Sequence, residues 1–291
     1  MTAETFVMAN SNSKPGTDAA ASLRGFPGRL VLVGAGKMGG AMLQGWLRLG
    51  LNPARIVVLD PQPATEIAEL TSRGLHLNPT GQMLSNVSVV VLAVKPQTAP
   101  EVMAGLKALT GPDTMVLSIM AGRTLGFLEQ ALPGAVVRAM PNTPAAVGRG
   151  ITVAVANEKV SAAQRNLAQL LLTAIGSVEW IDDEALMDAV TAVSGSGPAY
   201  VFLLAEALAR AGEAAGLPAK LAEILARATV AGSGELLHRS PLDAATLRQN
   251  VTSPGGTTAA ALEVLRSAEG LETLLTKAVA AATKRSRELA D

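Results

Sequence analysis

Arg29-Leu30-Val31-Leu32-Val33-Gly34-Ala35-Gly36-Lys37-Met38-Gly39 sets a run of apolar, strand-forming residues directly against three glycines spaced G-x-G-x-x-G. A helical stretch, Ala41 to Leu49 before Gly50, follows, and then a second β-branched run, Ile56 to Leu59, which ends at Asp60, 21 residues past Gly39. In that setting Gly34 permits the tight turn, Gly36 lets the backbone approach a pyrophosphate and Gly39 lets the helix pack on the strand. The helix start at Lys37 and Met38 adds free N–H groups for the anion. The alternative, a plain structural turn, does not account for the strand before, the helix after and the acidic residue at the next strand end. Asp60 is placed to accept hydrogen bonds from a free ribose and to repel a 2′-phosphate, and Pro61-Gln62-Pro63 supplies no cation. This favours NADH over NADPH; the competing reading is that Asp60 caps the next helix.

Further strand-like runs extend the pattern: Val87 to Ala93, Met115 to Ile119, Val136 to Met140 and Ile151 to Ala156, alternating with helical stretches. Nearly continuous apolar strands separated by helices predict a parallel sheet covered on both faces. The expected domains are a tail over 1–28, an α/β dinucleotide-binding domain over 29–181 and an all-helical domain over 182–291. The last rests on helical spacing in Asp182 to Val193, Ala199 to Ala215, Pro218 to His238, Ala244 to Val251 and Thr257 to Ala290. Many of these helices are rich in Ala and Leu on more than one face, which predicts self-association.

Composition narrows the function. Lys plus Arg equal Asp plus Glu at 24 each and aromatics are 2%, so neither charge nor stacking surface points to nucleic acid. Without cysteine there are no thiolate nucleophiles or Cys-type zinc sites, and with two histidines, His76 and His238, no metal site is expected. The longest unbroken apolar run, Val89 to Val94, is far short of a bilayer span, and residues 2–28 lack the apolar core of a signal peptide. A cytoplasmic protein with no membrane partner and a flexible N-terminal tail is the expectation.

Other segments leave strand ends on the edge where open α/β sheets bind ligands: Val94-Lys95-Pro96-Gln97, Ala121-Gly122 and Met140-Pro141-Asn142-Thr143-Pro144. In the helical part, Gly195-Ser196-Gly197-Pro198-Ala199-Tyr200 and Thr252-Ser253-Pro254-Gly255-Gly256-Thr257-Thr258 pair small residues with a Pro and a helix start. The second can hold a carboxylate through backbone N–H groups and hydroxyls, which points to a small anionic substrate. Alone, such a segment reads as an ordinary capped turn.

Taken in this order, the four longer motifs resemble pyrroline-5-carboxylate reductases, and the resemblance runs from about Arg29 to Leu289. It implies a Rossmann domain followed by a helical domain that dimerises by intertwining, in some members building larger rings. It implies reduction of L-1-pyrroline-5-carboxylate to L-proline, the last step of proline biosynthesis, by NADPH or NADH. Carried over by motif, Gly34 to Gly39 cradle the pyrophosphate, and Ala93, Val94, Lys95, Pro96, Ala121 and Asn250 contact the cofactor. Ser253, Gly256, Thr257 and Thr258 match the segment that holds the substrate carboxylate, and Glu184 and Thr191 match positions beside the substrate. Two residues depart from the family's NADPH-using pattern: Asp60, where a hydroxyl, amide or basic residue is usual, and Thr80, where many relatives have an asparagine.

The chemistry is consistent with a chain lacking an obvious catalytic histidine. A ketone becomes an alkoxide on reduction and needs a proton donor, whereas an iminium is already protonated and hydride arrival neutralises its charge. Positioning is then the main requirement, with Thr191 as a candidate hydrogen-bond partner of the imine nitrogen and Glu184 as a candidate to orient the cationic ring. A β-hydroxyacid dehydrogenase of similar layout would need a lysine early in the helical part. That part holds only Lys220, Lys277 and Lys284, none beside a glycine-rich turn. A nicotinamide-binding sensor without turnover is the remaining alternative.

Overall fold

The computed structural model describes residues 22–79 and 85–290. Eight strands form one sheet: β1 (Arg29–Val33), β2 (Ile56–Leu59), β3 (His76–Leu77), β4 (Val87–Leu92), β5 (Met115–Ser118), β6 (Ala135–Met140), β7 (Gly150–Ala156) and β8 (Gly176–Trp180). Their order is β3-β2-β1-β4-β5-β6-β7-β8, so the chain reverses direction across the sheet between β1 and β4. The expectation of a wholly parallel sheet is corrected at β6 and β7, which pair antiparallel. These two strands are consecutive and joined by the short Pro141–Arg149 connection, which leaves no room for the crossover that parallel neighbours need.

Alternation along β1 builds the two cores. Leu30 and Leu32 face Met42, Leu43 and Trp46 of α1 (Lys37–Arg48) and Leu171 and Leu172 of α5 (Ala162–Thr173). Val31 and Val33 face Met103 and Leu106 of α3 (Ala99–Leu106) and Leu128 of α4 (Leu125–Ala131). A short α2 (Thr65–Ala68) follows β2. The Trp46 indole N–H donates to the Leu171 carbonyl at 2.9 Å, tying α1 to α5. Within residues 22–28, placed by sequence in the tail, Leu23 and Phe26 are buried in the first core, and the Leu23 N–H donates to the Leu49 carbonyl.

Beyond β8 come α6 (Met187–Val190), a π-turn at Thr191–Gly195, α7 (Gly197–Ala214), α8 (Ala219–Arg239), α9 (Ala244–Asn250), α10 (Thr257–Leu265) and α11 (Leu271–Ala290). The helix expected over Thr257 to Ala290 is divided at Gly270, where a β-carbon would lie 2.3 Å from the Leu265 carbonyl. Helix α7 has no buried residue and α8 has only Ala222 and Ala226. Phe202, Leu203, Val264 and Leu274 are all exposed in the single chain. Glu184–Ala214 is long and apolar enough, by length and composition, to cross a membrane.

Candidate active site

The reversal between β1 and β4 opens a crevice at the strands' carboxyl ends, the position where open α/β sheets take their ligands. The glycine loop sits on one side of it and Ala93–Pro96 on the other, with the Ala93 N–H donating to the Val33 carbonyl at 2.8 Å. Gly34 has φ +87, and a β-carbon there would lie 2.8 Å from the Ala93 carbonyl oxygen. At Gly39 a β-carbon would meet the Gly34 oxygen at 2.2 Å, whereas at Gly36 it would meet nothing within 4 Å. Two glycines are thus demanded by packing, and the third faces open space beside the uncapped start of α1. Lys37 there is exposed and Met38 packs on the core. A bare backbone aimed at open space at a helix N-terminus fits a pyrophosphate.

Asp60 is half-buried and fastened from three directions. Its Oδ2 accepts from the Ala35 N–H at 2.7 Å and its Oδ1 from the Gln62 N–H at 2.8 Å. Asn78 brackets the Asp60 backbone, accepting from its N–H at 2.9 Å and donating to its carbonyl at 2.7 Å. Each carboxylate oxygen keeps a lone pair for a further donor. A cavity of about 490 Å³ adjoins it, lined by Val33, Leu59, Asn78, Val94 and Val102 among others, a size within the range of ligand pockets. Thr80 lies outside the described residues.

Lys95 is exposed, Pro96 is half-buried and Ala121 is exposed at the end of β5. Arg123 joins these two loops by donating to the Pro96 carbonyl from Nε and Nη2 at 3.2 and 2.9 Å. Farther along the same edge, Glu184 Oε1 accepts from Arg138 Nη1 at 2.7 Å and from the Leu125 N–H at 2.8 Å. Glu184 therefore ties β6 and the start of α4 to the first turn of the helical part, and its charge is already paired with a buried guanidinium. Thr191 opens the π-turn, and its hydroxyl donates to the Met187 carbonyl at 2.8 Å.

The remaining expected residues stand apart. Asn250 ends α9, exposed; Ser253 and Thr257 are exposed, and Gly256 and Thr258 are half-buried at the start of α10. A β-carbon on Gly256 would lie 2.4 Å from Ser253 Oγ, and α10 has no side-chain cap, so its first N–H groups are free. Among the described residues, no hydrogen bond or ion pair joins Asn250–Thr258 to the sheet half of the same chain.

Asn78, Arg123 and Arg138 were not anticipated from sequence. Arg138 did carry a signal, because a charge inside Ala-Val-Val-Arg-Ala-Met, otherwise a buried strand, requires a partner.

This arrangement, a glycine cradle at the reversal point with a largely exposed helical half behind it, has close counterparts. Residues 184–289 match the family model described as pyrroline-5-carboxylate reductase dimerisation, and residues 29–122 that of coenzyme F420-dependent NADP oxidoreductases. A pyrroline-5-carboxylate reductase of Pseudomonas aeruginosa is 42% identical over 268 residues, covering 90% of this chain and 97% of that one. The chain belongs to the pyrroline-5-carboxylate reductase family. The solved reductase of Coxiella burnetii superposes on this member with a TM-score of 0.84 at 38% identity, covering 91% of this chain and 99% of that one. The Plasmodium falciparum enzyme, solved with NADP bound, gives a TM-score of 0.75 at 29% identity over 90% of this chain and 98% of that one. The Rossmann domain and dimerisation domain expected from the motifs are the architecture found.

Proposed function

We propose the following division of labour in this chain, an oxidoreductase that reduces L-1-pyrroline-5-carboxylate to L-proline at the expense of NADH or NADPH. The observation that carries it is the glycine cradle: Gly34 and Gly39 have no room for a side chain, while Gly36 faces open space at an uncapped helix start. Gly34, Gly36, Lys37, Met38 and Gly39 hold the pyrophosphate, Asp60 accepts from the adenosine ribose, and Ala93, Val94, Lys95, Pro96, Ala121 and Asn250 flank the rest of the cofactor. When bound, the reduced nicotinamide supplies the hydride.

The chain's own side chains bind and orient the imine. The N–H groups at the start of α10 and the hydroxyls of Ser253, Thr257 and Thr258 hold the carboxylate with no cation, as helix N-termini do. Thr191 has committed its proton to the Met187 carbonyl, so its oxygen acts as acceptor for the N–H of the protonated ring. Reduction turns that cation into a neutral secondary amine, which takes a proton from water afterwards; no side chain has to deliver one. Glu184, with Oε1 engaged by Arg138 and Leu125, has Oε2 left to face the ring.

The substrate turn does not reach the sheet edge within one chain, and the helices around it expose their apolar faces. We read both as the marks of a homodimer, assembled into a larger ring in some members of the family, with cytoplasmic residence. Dimer burial accounts for the apolar Glu184–Ala214 helix without a membrane.

The test follows loss of reduced-nicotinamide absorbance with pyrroline-5-carboxylate, using NADH and NADPH in parallel and identifying proline as product. Turnover is expected with both, with kcat/KM higher for NADH. Folded protein that binds cofactor and consumes none would overturn the assignment in favour of a sensor. Thr191→Ala should lower kcat about 10- to 100-fold, the equivalent of one hydrogen bond to a charged group; unchanged turnover removes Thr191 from the site.

A further inference from the structure

The π-turn at Thr191–Gly195 is held by more side chains than its length requires. In this turn the Ser196 N–H reaches back five residues to the Thr191 carbonyl, at 2.8 Å. Single π-turns inside helices recur at functional sites because they re-aim a side chain. Just beyond the turn, residue 198 is proline and has no N–H. The Ser194 carbonyl therefore lacks the donor four residues on that a regular helix provides. The next amide, Ala199, donates to the Ser196 carbonyl instead, at 2.9 Å.

Asn142, from the turn after β6, supplies the missing donor. Its Nδ2 donates to the Ser194 carbonyl at 3.2 Å and its Oδ1 accepts from the Ile151 N–H at 3.0 Å. Asn142 is 8% exposed, so a lost partner would leave a buried polar group unpaired. The seat is close on this side: a β-carbon on Gly195 would lie 2.6 Å from Met140 Cε. Other contacts hold the same segment. The Tyr200 hydroxyl donates to the Ala192 carbonyl, and Ser286 Oγ on α11 donates to Asp188 Oδ1.

We infer that Asn142 is a positioning residue for the reduction: it gives Ser194 the hydrogen bond that Pro198 cannot, and so holds the π-turn in the register that presents Thr191 to the substrate. This rests on the reductase reading. Because misplacing a reacting partner by about 1 Å costs on the order of 100-fold in rate, the effect belongs in kcat and not in cofactor affinity.

The experiment is a double-mutant cycle between Asn142 and Pro198. Asn142→Asp keeps the acceptor for Ile151 and puts a carboxylate oxygen, which can only accept, where the donor to Ser194 was; Pro198→Ala restores the backbone N–H four residues after Ser194. N142D in the wild-type background should lower kcat about 10- to 100-fold while the dissociation constant for NADH, followed by its fluorescence, moves less than about 2-fold. In the P198A background the same substitution should cost at least about 3-fold less, since the helix then satisfies Ser194 itself. Multiplicative effects on kcat, or N142D that loses stability with kcat per folded site intact, would overturn the positioning role. Should N142D be insoluble, N142D/P198A takes its place: recovered soluble, active enzyme supports the inference, and insoluble or inactive protein ends it. A wild type without turnover would remove the reductase reading itself, whereas wild-type turnover with no coupling removes only the role of Asn142.

Discussion

The sheet half and the helical half are built from equally apolar sequence and end in opposite states. In the sheet half, β1, β4 and β5 are almost wholly enclosed, with Leu30, Leu32, Val91 and Leu117 at 0% exposure. In the helical half, Phe202 is 68% exposed and α7 buries nothing. A twisted sheet with helices on both faces closes on itself, whereas two long helices packed side by side cover only one stripe of each other. The sheet half thus binds a ligand as a finished scaffold. On the proposed reading the helical half, which carries the Ser253–Thr258 turn and Thr191, completes its fold with a second copy, and chemistry and assembly are then linked.

Substitutions that probe each half separately test this contrast. The largest effect is expected from Leu32→Ala, which should destabilise the monomer by about 2–5 kcal/mol, the cost of a core cavity, independent of protein concentration in denaturant melts. Phe202→Asp should instead leave the sheet half folded and weaken association by at least about 2 kcal/mol, the scale of an aromatic interface anchor. Sedimentation should then find monomers, with activity falling in step. Monomers that retain full activity would break the link between assembly and site.

Gly39→Ala places a methyl 2.2 Å from the Gly34 oxygen and should cost about 1–3 kcal/mol in cofactor binding, as overpacking does; calorimetry with NADH reads this directly. A smaller change follows from Asp60→Ser, which removes the carboxylate proposed to repel a 2′-phosphate. Its ratio of kcat/KM for NADPH over NADH should rise about 10-fold, or roughly 1.4 kcal/mol. An unmoved ratio would mean that the phosphate is accommodated elsewhere. The smallest effect belongs to Asp243, which caps α9: hydrogen bonds from Thr246, its backbone N–H foremost, hold the carboxyl below its ordinary value. A lowered folded-state value contributes stability above the ordinary aspartate range and loses it as pH falls through the folded value. Protection of the α9 amides, taken relative to the intrinsic exchange rate at each pH, should accordingly fall at acid pH, and Asp243→Ala should lower it at neutral pH.

Much of the sheet half was readable in advance because each signal lies within a few adjacent residues. The apolar runs of β1, β2, β4, β5, β6 and β7 stand out, and the glycine loop is six consecutive positions. His76–Leu77 is too short to register, and Gly-Ser-Val-Glu-Trp of β8 alternates in burial, as a half-exposed strand does. The direction of β7 was not readable from hydrophobic spacing, which carries no sense of orientation; its signal lay in the length of the connection after β6, too short for a crossover. Around the crevice, Asp60 was singled out by its distance from the loop, but its partner Asn78, 18 residues on, was not. Nor was the Arg138–Glu184 pair, 46 residues apart.

What the sequence determined by itself is whatever a local pattern can encode: the strand-glycine-helix cradle, the acidic residue at the next strand end, the order of sheet then helices, and the motifs that mark the family. Only the tertiary structure decided that Glu184 is held by Arg138, that Asn78 brackets Asp60, and that a proline at 198 leaves Ser194 to an asparagine from a different element. Local patterns follow from the geometry of a few successive residues. Partners of buried polar groups are chosen by how distant elements come together, and nothing in their immediate neighbours records that choice.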